Sequence, residues 1–107
     1  MMTLTSATRA ALTAVAALLP AAGPALDARA ATGRFIYDRI DGSHGRFDNP
    51  ADSVCHDFDM PAHGADNQTG TDARVYDTYG CGGGSEVVPK RTAVIWGRFR
   101  GESVRFG

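Results

Sequence analysis

All five leucines of this chain lie in its first 30 residues, and none is found from residue 31 to the end. In residues 31–107, only 14 of 77 residues are Ile, Val or Phe, which is near the level at which chains fail to fold. The same stretch holds all nine aromatic residues and has a net charge of only −2. Disordered chains instead combine few aromatics with high net charge. The composition therefore predicts one small domain with an aromatic core, and its size excludes multidomain enzymes, transmembrane transporters and nucleotide-binding α/β folds.

Residues 1–30 have the layout of a secretory signal peptide. Arg9 supplies the positive charge, a mainly apolar run from Ala10 to Leu19 follows, and Ala28–Ala30 offers a small-x-small cleavage site. Cleavage after Ala22 or Ala25 is an alternative, because each also ends such a triplet. Ten helical residues reach only about 15 Å, half of the bilayer core, so a short N-terminal anchor is the less favoured interpretation. We expect a secreted, extracellular protein without stable membrane insertion.

The two cysteines, Cys55 and Cys81, both remain after cleavage of the signal. An exported protein with two cysteines usually pairs them, and closing a loop of about 25 residues stabilises a fold by roughly 3–3.5 kcal/mol. The competing interpretations are a metal–thiolate pair and a catalytic cysteine, but the chain has no C-x-x-C motif. The sequence therefore predicts a structural disulfide.

After residue 31, short β-prone runs alternate with turn-rich segments, and apolar residues do not recur at helical spacing over three turns. Six strands are predicted: Arg34–Tyr37, Val54–Phe58, Ala73–Tyr76, Ser85–Val88, Ala93–Trp96 and Ser103–Phe106. Turns or loops are predicted at Asp41–Ser43, Asp48–Pro50, Gly64–Asp72 and Gly80–Gly84. In the last strand, Val104 and Phe106 are expected on one buried face and Ser103 and Arg105 on the other. The pattern predicts a single all-β domain over residues 31–107.

Charge is divided along the mature chain. Residues 31–72 carry eight acidic and three basic side chains, whereas residues 73–107 carry three acidic and six basic ones. The halves could pack together and partly neutralise each other, or a basic face could meet an anionic polymer or an acidic protein. The residues of such a face would be Arg91, Arg98, Arg100 and Arg105. Because a nucleic-acid binder normally has a clear basic excess, we favour neutralisation and expect no nucleic-acid partner.

Acidic and histidine side chains are frequent in the middle of the chain: Asp52, His56, Asp57, Asp59, His63 and Asp66. The spacing of His56 and His63 is not a common ligand spacing, and Pro61 and Gly64 indicate a flexible loop. We therefore expect a solvated acidic loop, with no metal or other cofactor. No nucleophile motif such as G-x-S-x-G is present, and so small a domain leaves little room for a catalytic cleft, so we expect no enzyme activity. Trp96 is expected to be a core residue.

The segment Val75–Ser85 resembles the signature of the βγ-crystallin Greek key. In that family an aromatic residue opens a hairpin, a second aromatic follows shortly afterwards, and glycine and serine come next. Tyr76 is similar to the opening aromatic, and Cys81 stands where the second is expected. A final strand reading Ser-Val-Arg-Phe also looks like the family pattern. The residues that carry the resemblance are Tyr76, Gly82, Gly83, Ser85, Trp96, Ser103, Val104 and Phe106.

The resemblance implies a small βγ-crystallin-like Greek-key sandwich. An earlier copy of the motif is expected within residues 31–72, opened by Phe35 or Tyr37 and followed by Gly42 and Ser43. Calcium-binding members of the family carry paired Asn/Asp residues before the final strand. At the positions of that pair this chain has Arg98 and Phe99. Arg100, Gly101 and Glu102 then follow before Ser103. A cation and an apolar ring cannot supply the oxygen ligands of calcium, so no calcium is expected at that site.

Bacterial relatives of this fold include inhibitors of secreted proteinases and toxin-like proteins. The resemblance implies a monomeric, non-enzymatic extracellular binding module whose partner is a protein such as a proteinase. Asp57–Asp72 and Lys90–Arg100 are the two segments expected to form exposed binding loops. Their candidate contact residues are Asp59, His63, Asp66, Arg91, Arg98 and Arg100. The alternative is a structural or cell-envelope-associated module whose stability is its function and which has no dedicated ligand.

Overall fold

The computed structural model describes residues 30–107, and the predicted signal peptide up to residue 29 lies outside the described residues. The described part contains seven strands: β1 Gly33–Arg39, β2 His44–Asp48, β3 Cys55–Thr69, β4 Ala73–Thr78, β5 Gly82–Val88, β6 Thr92–Ile95 and β7 Gly101–Phe106. It contains no helix with the length and apolar character needed to cross a membrane. The prediction of an all-β fold is confirmed.

All strands belong to one antiparallel sheet, and the long strand β3 joins its two parts. Residues 64–67 of β3 lie between β1 and β6, whereas residues 55–57 pair with β7. The pairing with β7 is irregular between Asp57 and Ala62, and Pro61 lies within that interval. We call the part with the strand order β2-β1-β3-β6 half-sheet A, and the part with the order β3-β7-β4-β5 half-sheet B. Strand β3 begins in half-sheet B and ends in half-sheet A.

The core lies between the two half-sheets. Phe35 of β1 meets Phe106 of β7 edge to face, with ring centroids 5.2 Å apart. Tyr37 stacks on Phe58 at 4.1 Å with nearly parallel planes. Aromatic pairs of this kind contribute about 0.5–1.5 kcal/mol beyond the area that they bury. The other buried apolar residues are small: Ala31, Ala62, Ala65, Ala73, Val75, Val88 and Val104. Large rings against small aliphatic residues explain how a leucine-free chain fills a core.

Trp96 does not occupy the centre of this core. It is partly buried at the margin, where its ring meets Phe99 edge to face at 5.0 Å. The expectation that it is a main core residue is therefore wrong, because the centre is filled by Phe35, Phe58 and Phe106.

Two further features of the fold differ from the predictions. Strand β2 is absent from the predicted strands. Its Gly45 is required by packing, since a Cβ atom there would lie 2.3 Å from the Tyr37 ring. The predicted loop Gly64–Asp72 is also wrong, because β3 continues to Thr69. The small residues Ala62 and Ala65 have weak strand propensity, but they are buried in the part of β3 that faces the core.

Candidate functional site

The β4–β5 hairpin is tied down onto half-sheet B. Its connecting residues have left-handed backbone conformations at Gly80, Cys81 and Gly83, with φ values of 76°, 58° and 77°. Cys81 forms a disulfide with Cys55, which confirms the predicted bridge. The Gly80 N–H also donates a 2.8 Å hydrogen bond to the Asp57 carboxylate. The hairpin is thereby anchored at two points on β3.

Ser103 of β7 supplies the third anchor. Its buried hydroxyl accepts a hydrogen bond from the Cys81 N–H at 2.9 Å and donates one to the Thr78 carbonyl at 2.6 Å. The family resemblance assigned the hairpin-holding hydroxyl to Ser85, and this assignment is wrong. The Ser85 hydroxyl accepts from Arg74 instead, because it lies along β5 rather than beneath the turn.

The other motif residues lie on both faces of half-sheet B. Val104 and Phe106 are fully buried on the core face, as predicted, and Arg105 is exposed. Ser103 was expected on the exposed face with Arg105, but the folded hairpin covers it. Tyr76 is partly buried and pairs across the strands with both Ser85 and Ser103.

The exposed face of half-sheet A forms a groove of about 690 Å³, hereafter the outer groove. Two rows of cross-strand neighbours build it. The first row is Arg46, Ile36, Asp66 and Ala93, and the second is His44, Asp38, Gly64 and Ile95. Each row takes one residue from each of the four strands. The apolar side chains of the two rows are Ile36 on β1 and Ala93 and Ile95 on β6. The polar and charged side chains lie on β1, β2 and β3.

Gly64 and Ile95 shape the open side of the outer groove. Ile95 is 73% exposed, the most exposed of the large apolar residues that the structure describes. A Cβ atom at Gly64 would lie 2.8 Å from the Val94 carbonyl oxygen and 2.9 Å from the Ile95 Cδ1 atom. The glycine thus lets the Ile95 side chain lie across β3. An exposed isoleucine next to a concave surface is a feature of binding sites.

The charged groups of the outer groove have partners within the chain. His44 Nε2 lies 3.2 Å from Asp38 Oδ1, and Arg46 Nε lies 3.3 Å from Asp48 Oδ2. The Asp66 carboxylate accepts a 2.8 Å hydrogen bond from Gln68. These pairs are solvent-exposed, so each contributes little to stability and can exchange its partner for a ligand group.

A separate charged network lies where β1 meets the irregular part of β3. Arg39 donates two hydrogen bonds of 2.9 Å to the carboxylate of Asp59, and the Tyr37 hydroxyl donates a third of 2.9 Å. The Arg39 hydrogen bond, followed by that of Tyr37, lowers the pKa of Asp59 to about 2. Burial, and then the hydrogen bond to Asp59, raises the pKa of Tyr37. The network fixes the irregular segment of β3 and does not line the outer groove.

The predicted contact residues are divided between several places. Asp59, His63 and Asp66 lie in β3 and not in a loop, and of these Asp66 lines the outer groove. Arg91 lies before β6, and Arg98 and Arg100 follow it. The remaining groove residues were missed by the sequence analysis: Ile36, Asp38, His44, Arg46, Ala93 and Ile95. Only the exposure of Ile95 could have indicated this surface, and that exposure can be known only once the pairing register of the strands is known.

Within residues 30–107, no group of three or more His, Cys, Asp or Glu side chains is arranged to hold a metal ion. Among the positions equivalent to the family's calcium site, Arg98 is exposed, and Phe99 is partly buried against Trp96. Gly101 is packed so closely that a Cβ atom would lie 2.5 Å from Val75.

Comparisons with protein-family models, curated proteins and solved structures give no match to this chain.

Proposed function

We propose that this chain is a secreted, non-enzymatic binding module of the βγ-crystallin-like type, and that its partner is an extracellular protein, with secreted proteinases as the first class to test. The observation that carries the proposal is the outer groove, an exposed concave surface with Ile95 at its open side. Concave surfaces with an apolar centre and a few polar groups are the usual form of binding sites.

The strand order supports the βγ-crystallin-like part of the proposal. Strands β1 and β2 and the two parts of β3 form one unit of four segments, and β4 to β7 form another. In each unit the fourth segment pairs beside the first, and the third lies in the other half-sheet. The return of a fourth strand to the first is the arrangement of a Greek key. We therefore assign the earlier copy that the resemblance implies to the first unit, as part of the same proposal.

The tethered hairpin supports a rigid binding surface. The Cys55–Cys81 bridge and the Ser103 hydroxyl hold half-sheet B together, and β3 continues directly into the floor of the outer groove. A binding surface on a rigid scaffold needs little ordering when its partner arrives, which favours affinity. Such a disulfide also fits export to an oxidising compartment.

The structure also changes which segment an inhibitor would present. Of the two candidate segments, Asp57–Asp72 is mostly β3 and is paired with neighbours along its length. Lys90–Arg100 consists of the edge strand β6 and its exposed flanks, so it is the segment that we assign to a proteinase cleft.

The test is an inhibition assay on the protein purified after export of the full-length chain. A panel of secreted serine and metalloproteinases is titrated with it, and we expect at least one to be inhibited at or below micromolar concentration. The variant Ile95→Asp should weaken that inhibition, while Ile40→Asp, which also replaces an exposed isoleucine, should not. No inhibition of any enzyme in the panel, or rapid cleavage within residues 90–100, would remove the proteinase assignment and favour the alternative of a stability module.

A further inference from the structure

Apart from residues 55–57 of β3, the edges of the described sheet are formed by three strands, β2, β5 and β6, and they differ in how their edges are protected. Strand β2 carries His44, Arg46 and Asp48, and β5 contains three glycines and Glu86. Strand β6 reads Thr-Ala-Val-Ile, without a charge, glycine or proline. Native proteins usually blunt an exposed edge with charges, prolines, bulges or short strands, because an open edge pairs with other chains. Strand β6 is short, but of the three edges it alone has no charged residue within the strand.

The backbone of β6 presents unused hydrogen-bonding groups on this edge. The Trp96 N–H donates to the His63 carbonyl at 2.8 Å, which places that pair in the hydrogen-bonded ladder. Hydrogen-bonded and non-hydrogen-bonded pairs alternate in an antiparallel ladder. In the same register, Val94 and Thr92 point their backbone groups toward β3, whereas those of Ala93 and Ile95 point away. An added strand would thus find two donors and two acceptors.

Cations flank the β6 edge at both ends. Lys90 and Arg91 precede the strand and Arg98 and Arg100 follow it, and residues 89–101 contain no acidic residue. All four side chains are exposed. The three salt bridges within residues 30–107 involve none of them, and each joins two residues of the acidic half. The two halves thus do not neutralise each other through salt bridges, and the cations remain available to a partner.

We propose that the β6 edge binds an extended acidic segment of a partner protein, which adds as a strand beside Thr92–Ile95 and places carboxylates on the flanking cations. This mode of binding rests on the proposed function and specifies the chemistry of the partner. Backbone hydrogen bonds would supply affinity, the exposed Ile95 side chain would make the apolar contact, and the charges would select the sequence. A second copy of the chain is a poorer occupant, because pairing two β6 edges would bring eight cations together.

The test uses two synthetic peptides and the isotopically labelled full-length chain after export. Both peptides have a Thr-Val-Thr-Val centre, and one carries two glutamates at each end where the other carries two lysines. In an amide chemical-shift titration, the acidic peptide should shift the Ala93 and Ile95 amides and slow their hydrogen exchange. It should bind about tenfold more tightly than the lysine peptide at low salt, and the difference should shrink as salt is added.

Two sets of variants separate the backbone from the charges. Ala93→Pro removes one backbone N–H donor from the edge without affecting the hydrogen bonds to β3, and should weaken binding of the acidic peptide about fivefold. Ala93→Ser keeps the donor and should bind the peptide as the parent does. The double variant Lys90→Glu with Arg91→Glu leaves the strand unchanged and should reduce or invert the preference between the two peptides. This second set gives an answer even where the proline variant does not fold.

Equal binding of the two peptides, or shifts confined to residues away from β6, would overturn the proposal. Dimerisation of the free protein that Ala93→Pro abolishes would also overturn it in favour of a second copy. The proteinase assay gives a separate answer. If the parent protein inhibits a proteinase and Ala93→Pro inhibits it equally well, the edge proposal is refuted but the proposed function stands. If the acidic peptide binds but no proteinase is inhibited, the edge proposal is supported and the proteinase assignment is removed.

Discussion

Removing the disulfide tests the energetic basis of this fold. The bond joins residues 26 positions apart, and the loss of that loop closure in the double variant Cys55→Ser, Cys81→Ser should destabilise the protein by about 3.5 kcal/mol. A domain of this size rarely obtains more than about 3–5 kcal/mol from its hydrophobic core. We therefore expect a fall in Tm of between about 14 and 28 °C, large enough to decide whether the domain is folded at physiological temperature.

The assay is thermal and urea unfolding of the exported protein, followed by far-ultraviolet circular dichroism, with and without the bond. The urea m-value should rise in the double variant, because its denatured chain is less compact. Ser103→Ala serves as the control with the disulfide in place. It leaves the Cys81 N–H and the Thr78 carbonyl without their partner and should cost about 2 kcal/mol with an unchanged m-value. A fall in Tm of less than about 5 °C in the cysteine variant would refute the argument that the bridge stabilises the fold.

Four other predictions follow from single features of the chain. Gly64→Ala should cost about 1–3 kcal/mol in urea unfolding, because its Cβ would press on the Val94 carbonyl 2.8 Å away; parent-like stability would contradict the packing. The pKa of Asp59, lowered to about 2, implies a stabilisation that is complete above about pH 3.8 and disappears as pH falls through 2. Asp59→Asn should therefore lower Tm at neutral pH but not below pH 2, and a pH-independent difference would count against the ion pair. Because Arg98 stands where calcium-binding βγ-crystallins, which the final strand resembles, have an oxygen ligand, neither millimolar CaCl2 nor chelator should move Tm, and a rise with calcium would reveal a site. Mass spectrometry of the exported protein should give a chain that begins at Ala31, and retention of the full mass would argue for an anchor.

Local chemistry was sufficient to predict the positions of most strands and the disulfide. Cys55 and Cys81 were paired from the expected compartment and from their number, and the structure joins them. Five of the six predicted strands overlap closely with observed ones, because turn residues bound them on both sides. The remaining predicted strand, Val54–Phe58, corresponds to β3. It continues to Thr69, because contacts with distant strands stabilise it.

The errors arise where tertiary contacts override local propensity. No strand was predicted at β2, where the missing side chain of Gly45 admits the Tyr37 ring against the strand. Asn67 and Thr69 look like loop residues, yet both are fully buried. Asn67 donates to the Thr71 and Val88 carbonyls and accepts from the Thr69 hydroxyl, so its polar groups are satisfied inside the fold. The Val88 carbonyl lies on β5, 21 residues from Asn67, so no short window of sequence contains this partner.

The candidate site shows the same limit more strongly. Each row of the outer groove takes one residue from each of four strands, so a shift of one residue in any strand would move that residue to the core face. In sequence, Ile95 is indistinguishable from a core residue, and Lys90 to Arg100 is simply a basic stretch. Only the pairing of β6 with β3 on one side shows that its isoleucine and its backbone groups face solvent between two pairs of cations. Once the register is known, the charge pattern that composition attributed to neutralisation between halves is instead the observation from which we propose an acidic partner.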